Sequence, residues 1–151
     1  MIDGKTVVCG LIGDPVEHTL SPVIHNTLAQ GTGRNLVYVP FHVKAGQVED
    51  AVRGAKALSI RGLNVTVPHK SAVIPYLSSV EREAALIGAV NTLVPEEGGY
   101  RGYNTDLTGL GRALASDGIN LSGEQVILLG AGGAARAAAF LCALRGAREV
   151  W

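Results

Sequence analysis

An α/β architecture, with a mostly parallel sheet flanked by helices, follows from three features of this sequence. Residues 7–12, "VVCGLI", form a near-continuous apolar run, the pattern of a strand buried on both faces. Runs of this kind then alternate with helical patterns in a βαβαβ order, whose connections require a parallel, right-handed sheet. Twenty glycines beside only two Phe and one Trp fit a fold of tight turns and close packing of small residues.

The elements follow in order. After the first strand comes the loop "GDPVEHTL" and then "SPVIHNTLAQ". Ser21 offers a side-chain acceptor at the N-cap and Pro22 a fixed φ at the first helical position, so a helix begins there and ends near Gly31. "NLVYVPFHV" is the second strand. In "AGQVEDAVRGAKAL" the residues Val48, Ala51, Val52, Ala55 and Leu58 fall on one helical face. The third strand is "LNVTVPHK". There Leu63, Val65 and Val67 alternate with Asn64 and Thr66, so the polar pair shares one pleat face until Pro68 stops the ladder.

A short helical piece through Leu77 and another over residues 80–87 precede "AVNTLVPEEGGYRGYNTD". Two strand-like runs flanking the turn residues 96–99 make that segment a hairpin. Asn104, Thr105 and Asp106 supply N-cap chemistry for a helix over residues 107–116. "DGINLSG" is a break in composition. It divides a unit of residues 1–117 from one of residues 124–151, with 118–123 as linker.

Composition excludes several function classes. A chain of 151 residues with 47% hydrophobic and 17% charged residues can bury a real core, unlike a disordered chain. Thirteen Lys plus Arg balance thirteen Asp plus Glu, so no net field attracts nucleic acid or an anionic membrane. Cys9 and Cys142 both sit in apolar runs, which reads as buried thiols in a reducing compartment, the cytoplasm. The early run "TVVCGLIG" meets Asp14 without a small-residue cleavage pattern, so it is a strand and not a signal peptide. No apolar stretch is long enough to span a bilayer. The histidines at 18, 25, 42 and 69 lack metal-site spacing, and His25 on the first helix suits packing.

Near the end, "LLGAGGAAR" follows a strand and opens an alanine-rich helix, the context in which glycines at 130, 132 and 133 bind a dinucleotide. Gly130 allows the tight turn and Gly132 the close approach of a pyrophosphate. The helix N-terminus offers free N–H groups and a positive dipole. Ala135 stands where the fingerprint's third glycine falls, a position that admits alanine, so this segment reads as the start of a Rossmann-type domain. A strand-to-helix turn without a ligand is the plainer reading. No Gly-Lys-Ser/Thr follows, which disfavours a nucleotide triphosphatase loop.

Four other stretches concentrate polar groups: "HTLSP", "NVTVPHK", "GAVNTL" and "GYNTD". Each lies at a strand end or helix start, where the carboxyl edge of a parallel sheet forms its ligand crevice. Plainer roles exist for each: Thr19 and Ser21 as helix caps, Asn64 and Thr66 as loop partners, Lys70 as a solvated tip, Asp106 as an N-cap. As a set they suit a small, hydroxylated, anionic ligand, with hydroxyls and amides for its alcohols and an ammonium–carboxylate pair for its proton.

With these motifs in this order over essentially the whole chain, the sequence resembles the shikimate dehydrogenase family. "GLIGDPVEHTLSPVIHN", "NVTVPHK", "GAVNT", "GYNTD" and "GAGGAARA" carry the resemblance. It implies an NADP-linked, reversible oxidation of shikimate to 3-dehydroshikimate in aromatic amino-acid biosynthesis. By motif match, Lys70 and Asp106 are the catalytic pair, and Asn64, Thr66 and Asn91 face the ring hydroxyls. Thr19 and Ser21 hold the substrate carboxylate. Gly130, Ala131, Gly132, Gly133 and Ala134 line the cofactor. The partner implied is a small-molecule substrate, and a homodimer stays open as the assembly.

Two departures matter. The family's Ser-x-Ser is Thr19-Leu20-Ser21 here, adding a methyl beside the carboxylate and leaving shikimate against quinate undecided. The chain also ends after one βα unit of the cofactor domain, which cannot complete a dinucleotide crevice, so we expect an inactive fragment of the parent enzyme. The residue that distinguishes a 2′-hydroxyl from a 2′-phosphate falls past Trp151. Two further readings therefore stand beside the first: a quinate/shikimate dehydrogenase that uses NAD, and a non-catalytic binding module for a cyclic polyol carboxylate.

Overall fold

The apolar run at residues 7–12 becomes the strand around which the sheet is assembled. In the structure, a computed structural model that describes residues 2–151, β1 (Val7–Gly13) pairs in parallel with β2 (Leu36–His42) and with β3 (Gly62–Val65). The hairpin strands β5 (Thr92–Glu96) and β6 (Gly99–Tyr103) extend this sheet beyond β3, and a two-residue strand, β4 (Ser79–Val80), closes its far edge. The order is β2-β1-β3-β5-β6-β4. Only β5 runs against its neighbours, so the mostly parallel sheet read from the sequence is what forms.

Helix α1 (Ser21–Gly31) joins β1 to β2, and α2 (Val48–Ala57) joins β2 to β3. On α2 the buried Val48, Val52 and Ala55 meet Ile12, Leu63, Val65, Val90, Leu93 and Tyr100 in the main core. Beyond β3 the chain makes α3 (His69–Ala72), a 3₁₀ turn (Ile74–Tyr76) and α4 (Arg82–Ile87). After the hairpin come α5 (Asp106–Ser116), β7 (Gln125–Val126), α6 (Gly133–Leu144) and β8 (Glu149–Val150). Ala137 and Leu141 of α6 pack on Ile87, Ala89 and Leu107 in a second apolar cluster, which seats the glycine-loop helix against α4 and α5. No helix among the described residues is long and apolar enough to cross a membrane.

Four local readings need correction. Leu20, not Ser21, occupies the N-cap of α1, because the Thr19 hydroxyl already accepts the Ser21 N–H at 3.3 Å and Ser21 enters the helix. The regular part of β3 ends at Val65, although Thr66 N–H still donates to Ile12 and the Val67 carbonyl accepts from Asp14. Helix α4 starts at Arg82, since Ser79 and Val80 pair with β6 and the Glu81 carboxylate caps by accepting the Glu83 and Ala84 N–H groups. The strand expected ahead of the glycine loop shrinks to Gln125–Val126. It pairs with β8 alone, and Ile127 and Leu129 stand 73% and 96% exposed.

Gly10 shows how tightly β1 is held. A Cβ there would lie 2.5 Å from the Val39 carbonyl oxygen and 2.4 Å from the Phe41 ring, on the strand paired with it. Gly10→Ala should therefore cost about 3 kcal/mol through overpacking and lower Tm by roughly 10 °C in a circular-dichroism melt. A Tm within a degree or two of wild type would mean that β1 and β2 spread apart freely.

Candidate active site

The carboxyl end of β3, the start of β5 and the first turn of α5 converge on one cleft. His69, at the start of α3, is buried, and its Nε2–H donates to the Val43 carbonyl at 2.6 Å; a carbonyl only accepts, so the proton sits on Nε2. Next along the chain, the Lys70 carbonyl accepts the Val90 N–H at 2.7 Å. These two bonds fix the backbone on both sides of Lys70. Its Nζ donates to Asp106 Oδ2 at 2.6 Å, with the side chains 18% and 32% exposed. The pair is thus sheltered yet open to a ligand.

Asp106 is the first residue of α5, where free N–H groups favour a carboxylate. Its other oxygen, Oδ1, accepts from Asn91 Nδ2 at 2.8 Å. Asn91 Oδ1 in turn accepts from Thr92 Oγ1 at 2.9 Å and from the Thr105 N–H at 3.0 Å. Asn104, also buried, takes the capping role that the sequence shared among three residues: its Oδ1 accepts the Asp106 N–H while its Nδ2 donates to the Ala89 carbonyl. Asp106 is thereby left to face Lys70.

Asn64 lies directly across from Thr92 in the β3–β5 ladder. Its Nδ2 approaches Thr92 Oγ1 and the Asn91 carbonyl at 3.4 Å each, and its Oδ1 accepts from the Tyr38 hydroxyl at 2.7 Å. The His25 ring stacks on Tyr38 at 4.2 Å between centroids, a packing role as read from the sequence. Ser21 also neighbours the Tyr38 hydroxyl, and Thr19 Oγ1 bonds Ser21 Oγ at 3.2 Å. Burial, then the nearby Cys9 thiolate, push the Tyr38 phenol up to about 12, and Ser21 eases it slightly.

Of the residues singled out in the sequence, Thr19, Ser21, Asn64, Asn91, Lys70 and Asp106 thus fall along one continuous polar track. Thr66 stands beside it, its methyl on the Cα of Gly13, where a Cβ would come within 2.4 Å. The sequence reading missed Tyr38, Thr92, Thr105 and Asn104 as members. Thr92 and Thr105 lay within the quoted Asn-Thr pairs. Tyr38 carried no local signal, because only the β1–β2 and β1–β3 registers bring it beside Asn64.

The glycine loop meets this track from α6. Gly130 has φ +134°, a conformation that disfavours any side chain, and Gly132 opens onto free space. The first helical bond of α6 runs from Arg136 N–H to the Gly132 carbonyl, so the N–H groups ahead of it are free for an anion. These features fit a dinucleotide's phosphates. Gly133 also serves close packing, since a Cβ there would lie 3.2 Å from both Lys70 Cδ and Ala89 Cβ. Arg136 Nη2 donates to Ser71 Oγ, and Ser71 donates to the Gly88 carbonyl at 3.0 Å, tying α6 to the turn after α4.

Residues 11–93 match the family model described as "Shikimate dehydrogenase substrate binding domain". The chain belongs to this family. It is 49% identical to Shikimate dehydrogenase (NADP(+)) of Methanothermobacter thermautotrophicus over 99% of its own length and 53% of the relative's. The crystal structure of shikimate dehydrogenase from Aquifex aeolicus superposes with a TM-score of 0.94 at 43% identity, covering all of this chain and 57% of that one. Shikimate 5-dehydrogenase from Listeria monocytogenes, solved in complex with shikimate and NAD, gives 0.89 at 40% identity, covering 99% and 52%. The chain spans about half the length of the curated relatives it matches.

The Tyr38 environment has a measurable consequence. The folded state keeps its phenol proton up to about pH 12 while an unfolded tyrosine loses it near 10, so stability should fall as pH rises through that window. Denaturant titrations across the window should show a shallower fall in Tyr38→Phe, with the remainder from Tyr100, which burial also raises. Equal slopes in both proteins would rule out a protected Tyr38 phenol.

Proposed function

We propose that the protein containing this chain is an NADP-dependent oxidoreductase that interconverts 3-dehydroshikimate and shikimate in aromatic amino-acid biosynthesis. The observation that carries this reading is the Lys70–Asp106 pair, 2.6 Å apart and held by Asn91 at the mouth of a cleft lined with amides and hydroxyls. In this reading residues 1–117 bind the substrate and 118–123 link them to the start of the cofactor unit, 124–151. The name of the Methanothermobacter relative and the shikimate bound to the Listeria enzyme support the assignment.

Lys70 exchanges the proton of the reacting hydroxyl as its carbon loses or gains hydride, while Asp106 orients the ammonium and accepts a hydrogen bond from a ring hydroxyl. Asn64, Thr66 and Asn91 hold the ring hydroxyls, and Thr19 and Ser21 hold the carboxylate. Gly130, Ala131, Gly132, Gly133 and Ala134 would hold the cofactor phosphates, the free N–H groups of α6 facing them. When bound, NADP supplies the hydride acceptor or donor. The free thiols suit a cytoplasmic enzyme. An NAD-linked enzyme acting on quinate as well as shikimate is the second reading, supported by the NAD in the Listeria complex and by the added methyl of Thr19.

In the intact protein, Lys70→Ala should lower kcat by roughly a thousandfold with KM for shikimate little changed, the pattern of a group acting mainly in the transition state. Asp106→Asn should impair both constants. Full turnover without the lysine would remove Lys70 from the chemistry. Residues 1–151 alone should give no NADPH-dependent reduction, because β7 and β8 form only a two-stranded ladder; stoichiometric cofactor binding by calorimetry would refute that.

A further inference from the structure

The amide of Asn64 has two ways to sit in its place, rotated by half a turn, and they present opposite chemistry to the cleft. With Nδ2 toward the cleft it donates to a ligand oxygen; with Oδ1 there it accepts. The neighbours decide between them. On one side lie the Asn91 carbonyl, which only accepts, and Thr92 Oγ1, whose proton is already given to Asn91 Oδ1. Both lie 3.4 Å from Nδ2, so these bonds are long and weak. On the other side the Tyr38 hydroxyl meets Oδ1 at 2.7 Å, a short bond of good length. The Asn91 carbonyl, which only accepts, sets which end of the amide is Nδ2, while the Tyr38 hydroxyl, which can donate or accept, supplies the shortest bond that holds the side chain in place, from a strand two places away in the sheet.

Tyr38 is suited to hold the amide still. The residue is 4% exposed, its ring is clamped by the His25 stack, and Asn26 ties its backbone on both sides, accepting the Tyr38 N–H at 2.8 Å and donating to its carbonyl at 2.9 Å. The titratable and charged groups facing it are Cys9, on the adjoining strand, and His25, on α1. The hydroxyl also neighbours Ser21, which with Thr19 forms the other end of the polar track. One phenol thus lies between the hydroxyl pair at the start of α1 and the amide on β3.

We propose that Tyr38 is a positioning residue: its hydroxyl pins Asn64 by the Oδ1 end, holding the amide at a fixed distance from Asn91 and Thr92 on the polar track that a hydroxylated carboxylate meets. Tyr38 does not touch the ligand in this scheme. It acts through Asn64, so its loss weakens binding and leaves the proton transfer at Lys70 intact. The inference rests on the polyol-carboxylate reading of the cleft for its kinetic consequence, but not for the lock itself.

The test uses Tyr38→Phe in the intact protein, a change that keeps the ring, the stack and the packing. Two readouts are needed: the side-chain ¹⁵N–¹H signals of Asn64, assigned by their loss in Asn64→Ala, and steady-state kinetics with shikimate. The expected result is faster hydrogen exchange and broadening of the Asn64 amide, a roughly tenfold rise in KM and kcat within twofold of wild type, since one short hydrogen bond to a half-buried acceptor is lost. A general loss of packing would instead move kcat as well. Unchanged Asn64 signals in Tyr38→Phe would overturn the proposal whatever the kinetics. A loosened amide with unchanged KM would overturn the role in binding. A loosened amide in a protein that converts no shikimate would uphold the lock and sink the assigned substrate instead.

Discussion

Asn91 is the knot on which the cleft depends. Its backbone carbonyl accepts the Val65 N–H that ends β3, its backbone N–H donates to the Tyr103 carbonyl at the end of β6, and its side chain reaches Thr92, Thr105 and Asp106. A buried amide costs free energy unless each of its groups is satisfied, and here every group has a partner on a different element. The same bonds that make Asn91 tolerable inside the protein also set the distance between β3, the hairpin and α5. Asp106 is placed by that distance, and Lys70 by Asp106.

Much of this was readable in the amino-acid order. The alternation of apolar runs and helical patterns gave the parallel sheet, and the turn residues between β5 and β6 gave the hairpin, because both signals are local. Polar side chains bunched at strand ends marked Lys70, Asp106, Asn64 and Asn91, since such residues are out of place in an apolar α/β core. What escaped was whatever depends on register. Tyr38 sits in an ordinary apolar strand, and only the pairing of β1 with both β2 and β3 sets it beside Asn64. The two-residue strand β4 exists only because β6 offers it an edge, so no propensity could announce it. Ser21 has the chemistry of a cap for α1, but the Thr19 hydroxyl takes its N–H and frees the serine side chain for the cleft.

The two ends of the chain's chemistry are also mechanically joined. Helix α6 rests on Ile87, Ala89 and Leu107, residues that flank Asn91 and Asp106 in sequence and in space. Arg136 reaches from α6 to Ser71, the residue after Lys70. The backbone that carries the lysine is thus braced from the sheet side by His69 and from the helix side by Arg136. A displacement of the glycine loop would be felt at Lys70 through one side chain.

Gly133 shows what that closeness implies for altering the protein. Its neighbours Gly130 and Gly132 face a turn and open space, but Gly133 lies on the aliphatic stem of Lys70, and even a methyl group would crowd it. The pattern of the sequence groups the three glycines as one phosphate-recognition feature, yet the last of them answers to the lysine. The loop and the lysine stem therefore share a single atom's worth of space. A loop grafted from another protein, with a side chain at that place, would fit only if the lysine stem gave way by a few tenths of an ångström.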